Sequence, residues 1–143
     1  MIRRIGKVSG DRIQLAHPEI VIVSTAAFFI PNGKYDWAAF ETLRTLQRQH
    51  HYYDIGVSRT LDSWHLEQSD GYAHAIDLVP IVDGRISWDD KKDKKRQQRI
   101  TDAFQNIADN MYTAMARTGI DLDWGFAMWS WDKPHWQTKT RPE

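Results

Sequence analysis

The sequence predicts an α+β fold: a small, mainly antiparallel sheet covered by helices, in a single domain over residues 1–143. Three observations point there. The turn-forming pair Asp83-Gly84 separates two strand-like runs, AHAIDLVPI and RISW. The stretch that follows places Ile100, Phe104, Ile107, Met111 and Met115 at helical spacing, which marks one buried face of a long helix. At 143 residues, with 41% hydrophobic and 27% charged residues, the chain suits one core and has the balance of a globular protein.

The elements follow in order. Residues 17–30, HPEIVIVSTAAFFI, carry conflicting signals. IVIV favours a strand by propensity. The length, Pro18 near the start and the stop at Pro31-Asn32-Gly33 favour a helix, and a helix is expected. Residues 37–43, WAAFETL, read as a short strand, and residues 45–54, TLQRQHHYYD, as a helix closed by Gly56. Residues 73–81 form a buried strand, and RISW returns after the turn. Ser87 with Asp90 resembles a capping box, with Asp where Glu is usual. The long helix is therefore placed at about 89 to 117, with Gly119 ending it and KKDKKRQQR as its solvated first turns. In the last stretch, IDLDWGFAMWSWDKPHWQ, Pro134 argues against a helix. It reads as a strand, a turn and a second short strand.

Composition excludes several classes. Lys plus Arg equals Asp plus Glu, 19 each, which argues against a broad electrostatic grip on nucleic acid. There is no cysteine, so any zinc site must use histidine and carboxylate. The N-terminus, MIRRIGKVSGDRIQ, is basic but lacks the apolar stretch of a signal peptide. No segment reaches the ~18 apolar residues that span a bilayer, so membrane insertion is not expected. Four of the seven tryptophans, Trp124, Trp129, Trp131 and Trp136, crowd the C-terminal region. They suit either an aromatic core or the wall of a groove for a sugar or peptide.

The chemistry-bearing residues are His65, Asp77 and His135. A catalytic zinc site uses three protein ligands and leaves a fourth position for water, and two His with one carboxylate meet that count. Zinc lowers the pKa of its bound water to about 7. A second carboxylate beside that water can take its proton and pass it to a leaving amine. Asp132, three residues before His135 in WDKPHW, is placed to do so. Spacing alone does not define a zinc signature here, and each histidine taken singly reads more readily as a hydrogen-bonded structural residue. Asp77 is more telling. A carboxylate within the apolar run AIDL is costly unless paired or bound to a metal. His50 and His51 read as polar residues near a helix end, and His17 as a helix-entry residue.

The segments SRTLDSWHL, AHAIDLVPIVDGRISW and WGFAMWSWDKPHWQ resemble the zinc D-alanyl-D-alanine carboxypeptidase and L-alanyl-D-glutamate endopeptidase family, especially its phage endolysin branch. The family pattern SxHxxGxAxD is matched by Ser63, His65, Ala75 and Asp77, and its later [Asp/Glu]-x-x-His by Asp132 and His135. The likeness spans roughly residues 17–138. It implies Zn2+ held by His65, Asp77 and His135, with Asp132 as general base and acid. Arg44, in FETLRTLQRQ, is implied as stabiliser of the substrate or the oxyanion. Arg59 is a rival for that role, and a surface salt bridge is the alternative for Arg44. There are departures. Extra residues lie between His65 and Asp77, within LEQSDGY, and are expected to form a loop at the mouth of the site. Ala73 stands where the family has glycine, and Gly71 lies just upstream. His74 is three residues before Asp77; on a strand the two point to opposite faces and should not share a metal. The family's Gly-Gly-Asp-Trp becomes Gly125-Phe126-Ala127-Met128-Trp129, without its aspartate.

The resemblance implies a zinc peptidase that cuts the L-alanyl-D-glutamate bond of bacterial peptidoglycan stem peptides. Cleavage of D-alanyl-D-alanine by the same site is the alternative, and a non-catalytic metal-binding wall module is a second one. As an endolysin the chain would be made in the host cytoplasm and reach the wall after a separate membrane lesion. It is expected to act as a monomer.

Overall fold

A computed structural model describes residues 5–31 and 34–142. Asn32 and Gly33 of the expected helix stop, and the first four residues of the basic N-terminus, lie outside them. The elements are α1 (Lys7–Ile13), α2 (Pro18–Phe28), β1 (Asp36–Glu41), α3 (Leu46–Asp54), β2 (Ala75–Val82), β3 (Arg85–Ile86), α4 (Lys94–Thr118), β4 (Leu122–Trp124), α5 (Gly125–Trp129) and β5 (His135–Thr138). The sheet runs β1-β2-β5-β4, with β3 also paired to β2, and every pairing is antiparallel. This is the expected α+β architecture.

One face of the sheet makes the core. Ile76, Leu78 and Trp136 project from it against α2 and α4, which present Ile20, Val23 and Ala27, and Ile100, Phe104, Ile107 and Met111. α2 resolves its conflicting signals as a helix because His17 and Pro18 start it well: the His17 ring accepts the Glu19 N–H, and proline fits the first turn. Trp124 stacks on Trp136 with the rings 7° from parallel. These two tryptophans are core.

The edge strand β1 is sealed by α1, an element not expected from the sequence. Ser9 Oγ accepts the Ala39 N–H at 3.1 Å, and Arg12 donates to the Ala39 carbonyl at 3.1 Å. Side chains thus satisfy backbone groups that an open edge would expose. β1 also carries a bulge. Ala39 pairs with Leu78, but the next pair is Glu41 with Asp77. Without the extra residue Phe40 would oppose Asp77, so the bulge turns Glu41 onto the face of Asp77.

The turn at Asp83-Gly84 has positive φ at both residues, 55° and 76°, as a two-residue hairpin requires. The expected capping box is not the helix start. Ser87 instead donates to the Arg85 carbonyl, and Asp90 accepts the N–H groups of Lys92 and Asp93. Asp93 is the true N-cap, accepting from Lys95 and Arg96, so α4 begins at Lys94. Nor is the basic run wholly solvated. Arg96 is buried, donates to Asp83 at 3.1 Å and Asp90 at 3.3 Å, and fastens the hairpin to the helix. Gly119 ends α4 in the left-handed conformation. The expected strand 37–43 stops at Glu41, and the return strand RISW pairs only through Arg85–Ile86. A further difference is α5, where a turn was expected: Pro134 lies past this short helix and does not oppose it.

The Arg99 hydrogen bond, aided by Arg96, holds the Asp83 carboxyl below the usual carboxylate range. A pKa lowered on folding stabilises above the unfolded value of about 4, and the gain is lost as pH falls through the folded value. Asp83→Asn, which tolerates the positive φ, is expected to be less stable than wild type in urea unfolding at neutral pH. The difference should close as the pH falls through the lowered folded value of this carboxyl. A pH-independent difference would contradict this.

Candidate metal centre and its groove

Asp77 and His135 sit directly opposite one another on β2 and β5, where side chains on one face are within reach. The adjacent pair, Ile76 and Trp136, points into the core. His65 comes from the loop after α3. Its carbonyl accepts the Arg44 N–H at 2.8 Å, and its own N–H donates to Ser63 Oγ at 3.1 Å. The structure brings all three residues together: one ligand-capable atom from each lies within 4.8 Å of the others. His65 Nε2 is 3.2 Å and His135 Nδ1 is 3.5 Å from Asp77 Oδ1.

The far nitrogens are anchored. His65 Nδ1 lies 2.8 Å from the Thr42 carbonyl, which can only accept. His135 Nε2 lies 2.9 Å from Gln137 Oε1. Each far nitrogen therefore carries its ring's proton, and a neutral ring turns its lone pair toward the carboxylate. Two lone pairs aimed at one carboxylate repel unless a cation lies among them. Two imidazoles and a carboxylate, with the distal N–H groups held by outer acceptors, fit a zinc ion.

Electrostatics show the same demand for positive charge among the three groups. Burial works against charge on Asp77, but His65 and His135 outweigh it and hold the carboxyl far below its ordinary range. Burial also opposes charge on His135, and Asp77 outweighs it and raises that histidine. Asp132 differs: burial pushes its carboxyl up, against the nearby His135.

The centre opens into a groove of about 1220 Å³ whose lining includes Arg44, Arg59, Trp88, Trp129, Trp131 and Asp132. The exposed Trp88, Trp129 and Trp131 form its aromatic wall; of the two roles open to Trp136, the structure gives it the core. Arg44 is no surface salt bridge. Its side chain is buried, donates to Glu41 at 2.7 Å and to Gln49 at 2.7 Å, and lies over the Tyr52 ring. Among the described residues these bonds leave two of its five N–H groups unused, on a side chain that lines the groove. Arg59 is exposed and stacks on Trp131, with its guanidinium 4.6 Å from the ring centre. Glu41, Thr42, Gln49 and Gln137 were not singled out from the sequence. The alternation that puts Gln137 on the His135 face was a usable signal; the bulge at Glu41 left none.

His74 does not join the centre, as strand geometry required. The 66–72 segment is not at the mouth of the groove either. Asp70 pairs with His74 at 2.7 Å, and Gln68 closes a turn with Tyr72, which folds the segment away. His50 and His51 are exposed on α3.

The fold and centre define a small α+β domain with a His–Asp–His cluster on the floor of an aromatic groove. The chain belongs to the phage L-alanyl-D-glutamate peptidase family, which it matches over residues 1–140. Its structure is similar to the crystal structure of the Serratia marcescens L-Ala D-Glu endopeptidase ChiX. The TM-score is 0.69 at 27% sequence identity, covering 92% of this chain and 86% of that one. No curated protein sequence matches the chain.

Gly125 is a close-approach position. A Cβ there would stand 2.6 Å from the Asp132 carbonyl oxygen and 3.1 Å from the Cβ atoms of Asp132 and His135. Gly125→Ala is expected to push the 132–135 segment outward and cost about 1–3 kcal/mol, read as a lowered urea midpoint. An unchanged midpoint would contradict the contact.

Proposed function

We propose that this chain is a zinc-dependent endopeptidase of phage endolysin type that hydrolyses the L-alanyl-D-glutamate bond of peptidoglycan stem peptides. The observation that carries the reading is the convergence of two imidazole lone pairs on Asp77 at the floor of a groove that also holds Asp132. His65, Asp77 and His135 would hold the metal. A zinc ion there supplies a Lewis acid and lowers the pKa of its water to about 7.

The chain's own groups do the rest. Asp132, ionised, takes a proton from the attacking water as its oxygen bonds to the scissile carbonyl carbon. It then returns that proton to the D-glutamyl nitrogen as the C–N bond breaks, leaving an L-alanine carboxyl group and a free amine; the second water proton leaves as that carboxyl ionises. Burial favours this exchange, because it brings the carboxyl closer in basicity to the groups it serves. The two remaining Arg44 N–H groups are suited to the oxyanion or to a substrate carboxylate, and Glu41 and Gln49 fix the guanidinium plane. Arg59, Trp131, Trp88 and Lys94 line the groove along with the centre. The family description and the Serratia endopeptidase both name the L-alanyl-D-glutamate bond, which favours an endopeptidase over a D-alanyl-D-alanine carboxypeptidase. No helix among the described residues is long and apolar enough to cross a membrane.

Digestion of purified peptidoglycan with mass-spectrometric identification of new ends tests the reaction. New L-alanine carboxyl ends are expected, abolished by chelator and reduced about 10²–10⁴-fold in Asp132→Ala. Released free D-alanine would move the activity to the carboxypeptidase. A folded, metal-loaded protein that cuts nothing would favour a binding module. Arg44→Met should lower kcat by about 10²-fold or more, whereas Arg59→Ala should act mainly through KM. The reverse pattern would give Arg59 the oxyanion role.

A further inference from the structure

A second cluster repeats the chemistry of the first. His17, Asp70 and His74 each offer a ligand-capable atom within 4.8 Å of the other two. It shares no ligand with the His65–Asp77–His135 centre. Its outer partner Thr138 is three residues from His135 on β5, hence on the opposite face of the sheet.

The backbone builds this cluster before any ligand arrives. The His17 N–H donates to the Ala73 carbonyl at 2.8 Å, and the Ala73 N–H donates to the Leu15 carbonyl at 3.2 Å. These bonds fix the entry of α2 beside the start of β2, with the His17 and His74 rings 4.7 Å apart. Asp70 is set by its own turn: its Oδ1 accepts the Tyr72 N–H at 3.2 Å, and Oδ2 is left facing His74.

The protons can be followed as at the first centre. The Thr138 hydroxyl donates to the Thr140 carbonyl at 2.7 Å, so it accepts at its other contact, from His74 Nδ1 at 2.9 Å. His74 Nδ1 thus carries a proton. The neutral ring then turns the Nε2 lone pair on Asp70 Oδ2, 2.7 Å away. His74 is buried, so water does not separate the two. Only a proton or a metal ion makes that contact favourable. His17 supplies the second nitrogen. Its Nδ1 accepts from the Glu19 N–H at 3.2 Å, so ligation through either ring nitrogen gives up that capping bond.

We propose that His17, Asp70 and His74 form a second metal site, for zinc or a similar first-row divalent ion, that pins the 66–72 segment to the start of α2. Two imidazoles and one carboxylate suit such ions better than calcium or magnesium, which prefer all-oxygen shells. The ion would be structural. It would lock the loop that leads from His65 into β2 and so hold the register of the first centre from behind.

Metal stoichiometry tests this without any assay of hydrolysis. The full chain is dialysed against zinc, freed of loosely held ion, and measured by inductively coupled plasma mass spectrometry. Variants are Asp70→Asn, His17→Asn (which keeps a helix-capping side chain) and Asp77→Asn. Wild type should hold two zinc ions per chain and each variant one. Zinc should also raise the melting midpoint of wild type more than that of Asp70→Asn. One ion in wild type, lost in Asp77→Asn but kept in Asp70→Asn and His17→Asn, would overturn the second site and leave the first intact. One ion lost in Asp70→Asn and His17→Asn but kept in Asp77→Asn would establish the second site and overturn the first. No bound zinc would overturn both.

Discussion

The Asp77 carboxylate, half-buried between two imidazoles whose other nitrogens are already bonded, is the constraint on which the rest of the structure turns. A charge in that position is expensive without a partner. The fold spends several devices on keeping the partners in place. The β2–β5 register puts His135 opposite Asp77, and the stacked Trp136 and Trp124 lock that register from the core side. Thr42 orients the His65 ring through its carbonyl, while its hydroxyl bonds to the Arg12 carbonyl of α1. A helix remote from the chemistry therefore helps to set the angle of an imidazole.

Charge around the centre is arranged in opposed layers. The β-bulge brings Glu41 beside Asp77, which would repel it if unpaired. Arg44 answers Glu41 directly, and Arg48 approaches its second oxygen at 3.3 Å. The pairing positions Arg44 rigidly while leaving part of its fork for the groove. On the other side Gly125 lets the 132–135 segment come close, so Asp132 can stand beside the histidines without occupying a ligand position. Exposed tryptophans then give the groove apolar walls at small conformational cost.

Much of this was legible in the sequence, for reasons that differ from residue to residue. Asp83-Gly84 and the helical spacing of Ile100 to Met115 are local signals, and both appear as read. His65, Asp77 and His135 were legible because a carboxylate in an apolar strand demands a partner and the motif supplies two. The missed features depend on distant contacts. Asp90 and Asp93 are equally good caps on paper; Asp90 is drawn off by the loop and Asp93 is left for α4. α1 is short, and its purpose appears only when Ser9 and Arg12 meet the edge of β1. Glu41 could not be placed because a bulge breaks the alternation that sequence reading assumes. The inserted residues before Asp77 looked like a rim loop, yet Asp70 is drawn to His74 on the other side of the sheet.

As proposed, His65, Asp77 and His135 would bind a metal as ligands rather than pair as a proton-sharing triad. The most direct measurement is anomalous diffraction at the zinc edge from crystals of the full chain grown with zinc. Metal ligation should give a peak bonded at about 2.0–2.2 Å to His65 Nε2, His135 Nδ1 and an Asp77 oxygen, with an open fourth position. Density showing those three side chains in direct hydrogen-bond contact, with no peak among them, would contradict it.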